Sequence, residues 1–271
     1  MTSLCFSFAE QLKEKLNGFI PKNILILGSG LGTLADMITE PQIIKYTDIK
    51  GFPQSSVEGH KGQLVAGYFQ GKNVLCMQGR FHLYEGVAPQ VINQIIASFK
   101  LIGAQRLIIT NAAGSLNTKI PAGSIMLITD HINLSGQNPL IGPDDETIGP
   151  RFPDLSQVYT PSLVSLAKQM ANDLKLSLSE GVYMMVTGPN FETPAEVKAY
   201  ARLGADAIGM STVPEVISAA HAGLEVLGFS VITNMGTGLQ QKMQSHEETL
   251  EMAKKATSSL SQLLSAIFER L

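Results

Sequence analysis

Three side chains in the segment Gly79–Gly86 (GRFHLYEG) have the types and the spacing of an anion-binding clamp. Arg80 and His82 alternate along a stretch that reads as extended, so they point the same way, and Tyr84 continues that face. An arginine offers planar, bidentate donors to an oxyanion, and a neighbouring histidine adds another. The pattern predicts an oxyanion site, with a solvated strand end as the alternative.

A glycine-rich turn, Gly28–Gly32 (GSGLG), follows the apolar stretch ILIL. A dinucleotide-binding turn would place a third glycine at position 33, which is Thr33, and would need an acidic residue at the end of a second strand about 20 residues on. Neither is present. The turn therefore predicts either phosphate binding by backbone N–H groups and the Ser29 hydroxyl, or a plain structural turn.

Four more segments place glycine, polar or aromatic residues directly after apolar stretches: Asn111–Ser115, Gly188–Pro194, Gly209–Thr212 and Thr233–Gly236. Taken singly, each is typical of an ordinary turn, and Glu192 is best explained by support of the helix that follows it. Together they predict a ligand site, because open α/β folds bind ligands at the carboxyl ends of their strands.

The histidines do not indicate a metal site. His60, His82, His131, His221 and His246 form neither HxH nor HExxH, and no cysteine accompanies them. No GxSxG motif is present, which argues against an α/β-hydrolase. His246 opens the last predicted helix, where the helix dipole disfavours a cation and keeps an imidazole neutral.

Apolar stretches alternating with helical patterns predict the elements that must position these residues. Strands are expected at 24–28, 106–110, 124–129, 181–187 and 225–233, with two more around a turn at Gly71 within 63–78. Helices are expected near 6–18, 89–102, 161–176, 193–203, 214–223 and 246–270. This alternation predicts one domain, 1–271, built as a three-layer α/β/α sandwich on a mixed, largely parallel sheet.

One long irregular region, 133–160, interrupts this alternation. A loop of this length in a compact domain is more often functional than idle. Its Phe152 is an apolar residue between Arg151 and Pro153. The sequence leaves open whether Phe152 anchors the loop locally or contributes to a pocket or a subunit contact.

Composition excludes several classes of function. The chain has 271 residues with 20 basic and 23 acidic side chains, so a formal charge of −3 gives no basic surface for nucleic acid. No apolar run reaches the roughly 18 residues of a membrane helix. Two cysteines are too few for a disulfide framework. We expect a cytoplasmic enzyme with small-molecule substrates and no nucleic-acid or membrane partner.

In their order and separations, the segments resemble the trimeric, low-molecular-mass purine nucleoside phosphorylases. The resemblance runs from about residue 20 to the C-terminus and is carried by GSGLG (28–32), GHKG (59–62), GRFHLYEG (79–86), TNAAGS (110–115), GPNFET (188–193), GMSTVPE (209–215) and ITN (232–234). Met235 follows Asn234 where the mammalian branch has a lysine, which indicates a bacterial-type branch. The resemblance implies phosphorolysis of purine nucleosides, with inorganic phosphate as co-substrate, no cofactor and a homotrimer.

The resemblance also implies roles for individual residues. Phosphate would be held by Ser29, His60, Arg80, His82, the backbone of Ala113, and Ser211. The purine would be bound by Phe191, Glu192 and Asn234, and the ribose by Tyr84, Tyr183, Met210 and His246. Phe152 would enter the sugar pocket of a neighbouring subunit. Asn234, Glu192 and His82 would carry catalysis.

Chemistry then predicts which base is preferred. Asn234 can bond N7 and O6 of a 6-oxopurine, and an ionised Glu192 accepts from its N1–H. Adenine presents a lone pair at N1, and mispairing of this kind costs on the order of 10⁴-fold in discrimination. We expect inosine and guanosine to be preferred over adenosine, while xanthosine stays open.

Three alternatives make different predictions. A methylthioadenosine phosphorylase would prefer an aspartate at the position of Asn234 and an apolar residue at that of His246. A nucleoside hydrolase would need an acidic cluster for calcium near the N-terminus, which is lacking. A nucleotide-binding module would not need Arg80, His82, Glu192 and Asn234 together.

Overall fold

Nine strands among the described residues pair into one mixed sheet, and all but the edge strand are largely buried. The computed structural model describes residues 4–55, 57, 59–143, 145–239 and 246–271, without the side chains of residues 246, 248 and 255. Within these residues the strands are β1 (Asn23–Ile26), β2 (Thr39–Lys45), β3 (Gln63–Phe69), β4 (Lys72–Gln78), β5 (Arg106–Ser115), β6 (Ile125–Asn133), β7 (Leu178–Met185), β8 (Ala207–Gly209) and β9 (Glu225–Met235). Their order is β2-β3-β4-β1-β5-β8-β7-β6-β9.

Helices form at the predicted places. They are α1 (Leu4–Leu16), α2 (Pro89–Leu101), α3 (Pro161–Asp173), α4 (Pro194–Arg202), α5 (Val213–His221) and α6 (His246–Arg270). The helices α2, α3 and α4 each begin with a proline, whose fixed φ suits the first helical position and whose missing N–H costs nothing there.

The helices cover both faces of the sheet, which confirms the predicted three-layer architecture. On β1, Ile24 and Ile26 face one core, which they share with residues of α1, α2 and α5. Leu25 points to the opposite face, where it joins a second core with residues of α3 and α6. This alternation follows from the two-residue period of a strand. Among the described residues, no helix is long and apolar enough to span a bilayer.

Five of the strands pair in a closed circuit, a feature that the sequence analysis did not predict. β9 pairs in parallel with β5 and antiparallel with β6. Since β5 also pairs with β8, β8 with β7, and β7 with β6, these five strands form a closed circuit. The short β8 and the edge strand β2 were both missing from the predicted elements. The predicted hairpin around Gly71 is confirmed as β3 and β4.

A β-bulge on β9 lies where the sheet meets the predicted ligand site. Ala113 of β5 pairs with Ile232, and the next residue, Gly114, pairs with Asn234. Thr233 is therefore the extra residue in the register. Bulges bend a strand and redirect its side chains, often beside active sites.

The region between β6 and α3 is irregular, as predicted. Its described residues, 134–143 and 145–160, form neither helix nor strand. Phe152 within it is 88% exposed, and the Arg151 guanidinium lies 5.7 Å from its ring centre.

Candidate active site

A cavity of about 350 Å³ collects the predicted polar strand ends. Its walls come from the turn after β1, the segment after β4, the ends of β5, β8 and β9, and the loop between β7 and α4. Most of the predicted site residues line it: Ser29, Arg80, His82, Tyr84, Ala113, Phe191, Glu192, Met210, Ser211 and Asn234. Residues from segments far apart in the chain therefore meet around one space.

The Arg80 side chain is buried and fixed at several points. Its Nε lies 3.2 Å from Oε1 of Glu215, and the two side chains are only 1% and 5% exposed. Its Nη1 donates to the Ser211 hydroxyl at 3.0 Å and to the Thr212 hydroxyl at 3.1 Å. The sequence analysis assigned no role to Glu215 or Thr212. The only signal for them was their place within the segment GMSTVPE, beside Ser211.

His60 lies behind the residues that face the cavity. Its Nε2 is 3.4 Å from the Ser29 hydroxyl, and its Nδ1 accepts from the Arg80 backbone N–H at 3.3 Å. Burial, with help from the nearby charges of His82 and Arg80, lowers the pKa of His60 to about 4. A neutral imidazole thus links the glycine turn to the Arg80 segment.

Three rings stack along one side of the site. His60 and His82 have ring centres 5.4 Å apart, and His82 and Tyr84 have centres 4.8 Å apart, both nearly parallel. The Nδ1 of His82 lies 3.0 Å from the Glu85 carboxylate. The predicted extended face ends at His82, because Leu83–Glu85 form a 3₁₀ turn. Tyr84 reaches the cavity through this turn and not through strand alternation. Burial raises its pKa to about 12, so the phenol is neutral.

Glu192 is available to the cavity because other residues cap the helix that follows. The Thr193 hydroxyl accepts from the Glu196 backbone N–H, and the Glu196 carboxylate accepts from the Thr193 backbone N–H. This capping box satisfies the start of α4. Burial raises the pKa of Glu192 above its usual value. The capping box at the start of α4 is thus formed without Glu192.

The bulge on β9 shapes the surroundings of Asn234. The Thr233 hydroxyl donates to Oδ1 of Asn234 at 2.8 Å, while Nδ2 donates to the Met235 carbonyl at 3.2 Å. Opposite lies Gly114, where an added Cβ would come within 3.0 Å of Asn234 Nδ2. A glycine on β5 thus makes room for the Asn234 amide at the cavity.

Comparisons with known proteins agree with this geometry. The profile of the phosphorylase superfamily matches residues 22–269. A purine nucleoside phosphorylase of Bacillus subtilis is 51% identical over 94% of this chain and 96% of that relative. The enzyme of the same name from Rattus norvegicus is 47% identical over 93% of this chain and 89% of its own. A purine nucleoside phosphorylase of Schistosoma mansoni, solved with inosine, superimposes with a TM-score of 0.94 at 36% identity, covering 100% and 97% of the two chains.

The chain belongs to the phosphorylase superfamily and, within it, to the purine nucleoside phosphorylases. The resemblance seen in the sequence is thereby confirmed, as is the α/β fold that it implied.

Three predicted site residues of this phosphorylase, His60, Tyr183 and Phe152, are not among the described residues that line the cavity, and for a fourth, His246, no side chain is described. Tyr183 is fully buried, and its hydroxyl accepts from the Ser211 backbone N–H at 3.4 Å. It lies beside Ser211, outside the residues that line the cavity. Phe152 lies outside the cavity on the exposed loop. His246 is the first residue of α6, and its side chain lies outside the described part of the chain.

The described residues do not form a metal site. Within them, no group of three or more histidine, cysteine, aspartate or glutamate side chains is arranged to hold an ion. The polar atoms around the cavity are instead hydrogen-bond donors and acceptors suited to anions and to a heterocyclic base.

Proposed function

We propose that this one-domain enzyme catalyses the reversible phosphorolysis of 6-oxopurine (deoxy)ribonucleosides in purine salvage. Its products are the free base and (deoxy)ribose 1-phosphate. The observation that carries the proposal is a single cavity lined both by donors for an anion, Arg80 and Ser211, and by a carboxylate and an amide suited to a base, Glu192 and Asn234. Phosphate is the co-substrate, and we expect neither a cofactor nor a metal.

Phosphate acts in this scheme as nucleophile and as counter-charge. Breaking the N-glycosidic bond builds positive charge on the ribose and negative charge on the departing base. Arg80, Ser211, Ser29, His82 and the Ala113 backbone would hold phosphate near C1′, which removes most of the entropic cost of the encounter. The buried position of Arg80 strengthens its interaction with an anion.

The departing base would be stabilised by the remaining groups of the cavity, the Asn234 amide and the Glu192 carboxylate. Asn234 would bond N7 and O6, most strongly when the leaving purine carries charge, and this lowers the barrier. An ionised Glu192 would accept from N1–H, with Phe191 against the ring. Inosine and guanosine are therefore the preferred substrates, and adenosine is a poor one.

The ribose would be bound by Tyr84 and Met210, with His246 at its 5′-hydroxyl. Tyr183 would act on the site only by holding Ser211, since its hydroxyl accepts from the Ser211 N–H. We also propose a cytoplasmic homotrimer in which Phe152 of each subunit completes a neighbour's sugar pocket. The 88% exposure of Phe152 in the single chain supports this role. Light scattering together with a Phe152→Ala variant would test it, because a lost trimer contact should raise the KM for nucleosides.

The decisive experiment measures base release from five nucleosides, each with and without phosphate. The substrates are inosine, guanosine, xanthosine, adenosine and 5′-methylthioadenosine. Phosphate-dependent release from inosine and guanosine, with little from adenosine, is the expected result. Release without phosphate would mean a hydrolase, release confined to methylthioadenosine would mean the alternative phosphorylase, and no release at all would leave only a binding module.

A further inference from the structure

One carboxylate lies beside the site without lining it. Glu215, the third residue of α5, directs Oε1 to within 3.2 Å of Arg80 Nε. It does not belong to the cavity wall, whereas Arg80 does. A carboxylate touching the phosphate would repel it, but one placed behind the arginine can act on the cation alone.

The contacts of Arg80 are distributed unequally over its three nitrogens. Nε faces Glu215. Nη1 donates to the Thr110 carbonyl at 3.0 Å and to the hydroxyls of Ser211 and Thr212. Nη2 is buried and has no hydrogen-bond partner among the described residues. Since the Glu215 carboxylate faces Nε and three oxygens accept from Nη1, Nη2 is the nitrogen left to donate to an anion.

Glu215 lies at a helix start that suits its charge and adjoins the residues that contact Arg80. It belongs to the first turn of α5, where the helix dipole stabilises a negative charge. The turn is preceded by Thr212, whose φ of 79° is unusual for a β-branched residue. This backbone strain points to a functional constraint, because the Thr212 hydroxyl accepts from both Arg80 and Asn111. The start of α5 is therefore fitted to Arg80.

We propose that Glu215 is a positioning residue that fixes the Arg80 guanidinium so that Nη2 donates to phosphate. The inference rests on the proposed phosphorolysis and names a residue on which that reaction depends without touching the substrate. The length of the Glu215 side chain matters as well as its charge, because an oxygen placed at Nε sets the orientation of the planar guanidinium. We call this property its reach.

Two substitutions separate reach from charge. Glu215→Gln keeps the length of the side chain and an oxygen that can lie at Nε, but removes the charge. Glu215→Asp keeps the charge but withdraws the carboxylate by one methylene. Ser218→Ala is the matched control: Ser218 is on the same helix, is fully buried and donates to the Pro214 carbonyl without contacting Arg80.

The readouts are the KM for phosphate, the KM for inosine and the protection of the folded state by phosphate in thermal unfolding. We expect Glu215→Asp to raise the KM for phosphate about tenfold, to leave the KM for inosine within about twofold, and to weaken protection by phosphate. The KM for phosphate of Glu215→Gln should stay within about threefold of that of the parent enzyme, and Ser218→Ala should have the same KM as the parent enzyme.

Several results would overturn the inference. A normal KM for phosphate in Glu215→Asp would show that the contact is not needed. A large change in Glu215→Gln with a small one in Glu215→Asp would show that charge, and not reach, is decisive. Equal losses toward phosphate and inosine would indicate a merely structural role. If the parent enzyme itself releases no base with phosphate, it is the proposed function that fails, and the unfolding shifts with phosphate still test the role of Glu215.

Discussion

The cavity has two parts that are built differently: the anion end, around Arg80 and Ser211, and the base end, around Glu192 and Asn234. Among the residues proposed to bind the anion, Arg80 is buried, bonded to Ser211 and Thr212, and paired with Glu215. The residues proposed to bind the base are held more locally, since the Asn234 side chain bonds to its chain neighbours Thr233 and Met235, and Phe191 is 42% exposed.

This difference has a functional meaning. A nucleophile shared by every substrate favours a rigid, preorganised site, because fixed donors cost no reorganisation in the transition state. A base site that must admit and release different purines tolerates a more open wall. Changes at the anion end should therefore affect all nucleosides alike, and changes at the base end should affect the choice among them.

The largest effect should come from Arg80. We expect Arg80→Ala to lower kcat/KM by about 10³-fold for inosine and guanosine equally, because it removes an anion donor from a buried site. It also leaves Glu215 buried without its cation, which should cost about 3 kcal/mol of stability. Steady-state kinetics and urea unfolding measure both. Arg80→Lys, which keeps the charge but not the planar fork, controls for charge. An effect of Arg80→Ala on only one of the two nucleosides would contradict the separation of an anion end from a base end.

At the base end, Glu192→Ala should cost about 3 kcal/mol of transition-state stabilisation with inosine, through loss of a buried, charge-assisted bond. The matched control is Glu196→Ala, four residues on. Glu196 belongs to the capping box of α4, so its loss should lower stability slightly with little loss of activity. Similar kinetics for the two variants would move base recognition away from Glu192.

Asn234→Asp should change selectivity more than it changes rate. A carboxylate can accept from the 6-amino group of adenosine, so the ratio of kcat/KM for adenosine to that for inosine should rise about tenfold. Parallel assays with the two nucleosides measure this ratio. An unchanged ratio would contradict the account of base recognition, and a raised KM for phosphate would contradict the separation of the two ends.

The smallest effect should appear in the pH dependence. Burial raises the pKa of Glu192, so the carboxyl takes up its proton at a higher pH than an ordinary glutamate. As the pH falls through that pKa, the acceptor for N1–H is lost and kcat/KM for inosine should decline. The acidic limb should be absent in Glu192→Gln. A limb that persists there would come from the anion end.

Much of the fold could be predicted because its signals are local. The apolar periods placed the helices within a few residues of their observed bounds. β8 escaped prediction because three residues carry too little pattern to be distinguished from a turn. β2 is an edge strand with one buried residue, so its sequence lacks the alternation of a half-buried strand.

Within the site, residue types indicated the chemistry but not its supports. Arg80, His82 and Asn234 were identifiable from their segments, whereas Glu215 offered no sign of its partner, which lies more than a hundred residues earlier in the chain. Tyr183 shows the opposite case. The family resemblance implied a ribose contact for it, whereas in the structure the Tyr183 side chain is buried and its hydroxyl accepts from the Ser211 N–H.

By itself, the sequence determined the layers, the family and the set of groups able to bind phosphate and a purine, because hydrophobic period and side-chain chemistry are properties of short segments. Only the tertiary structure decided that β9 joins β5 to β6 and closes the circuit, that a bulge at Thr233 accompanies Asn234, and that Glu215 pairs with Arg80. These depend on contacts between distant segments, whose partners are selected by packing and burial of the whole chain.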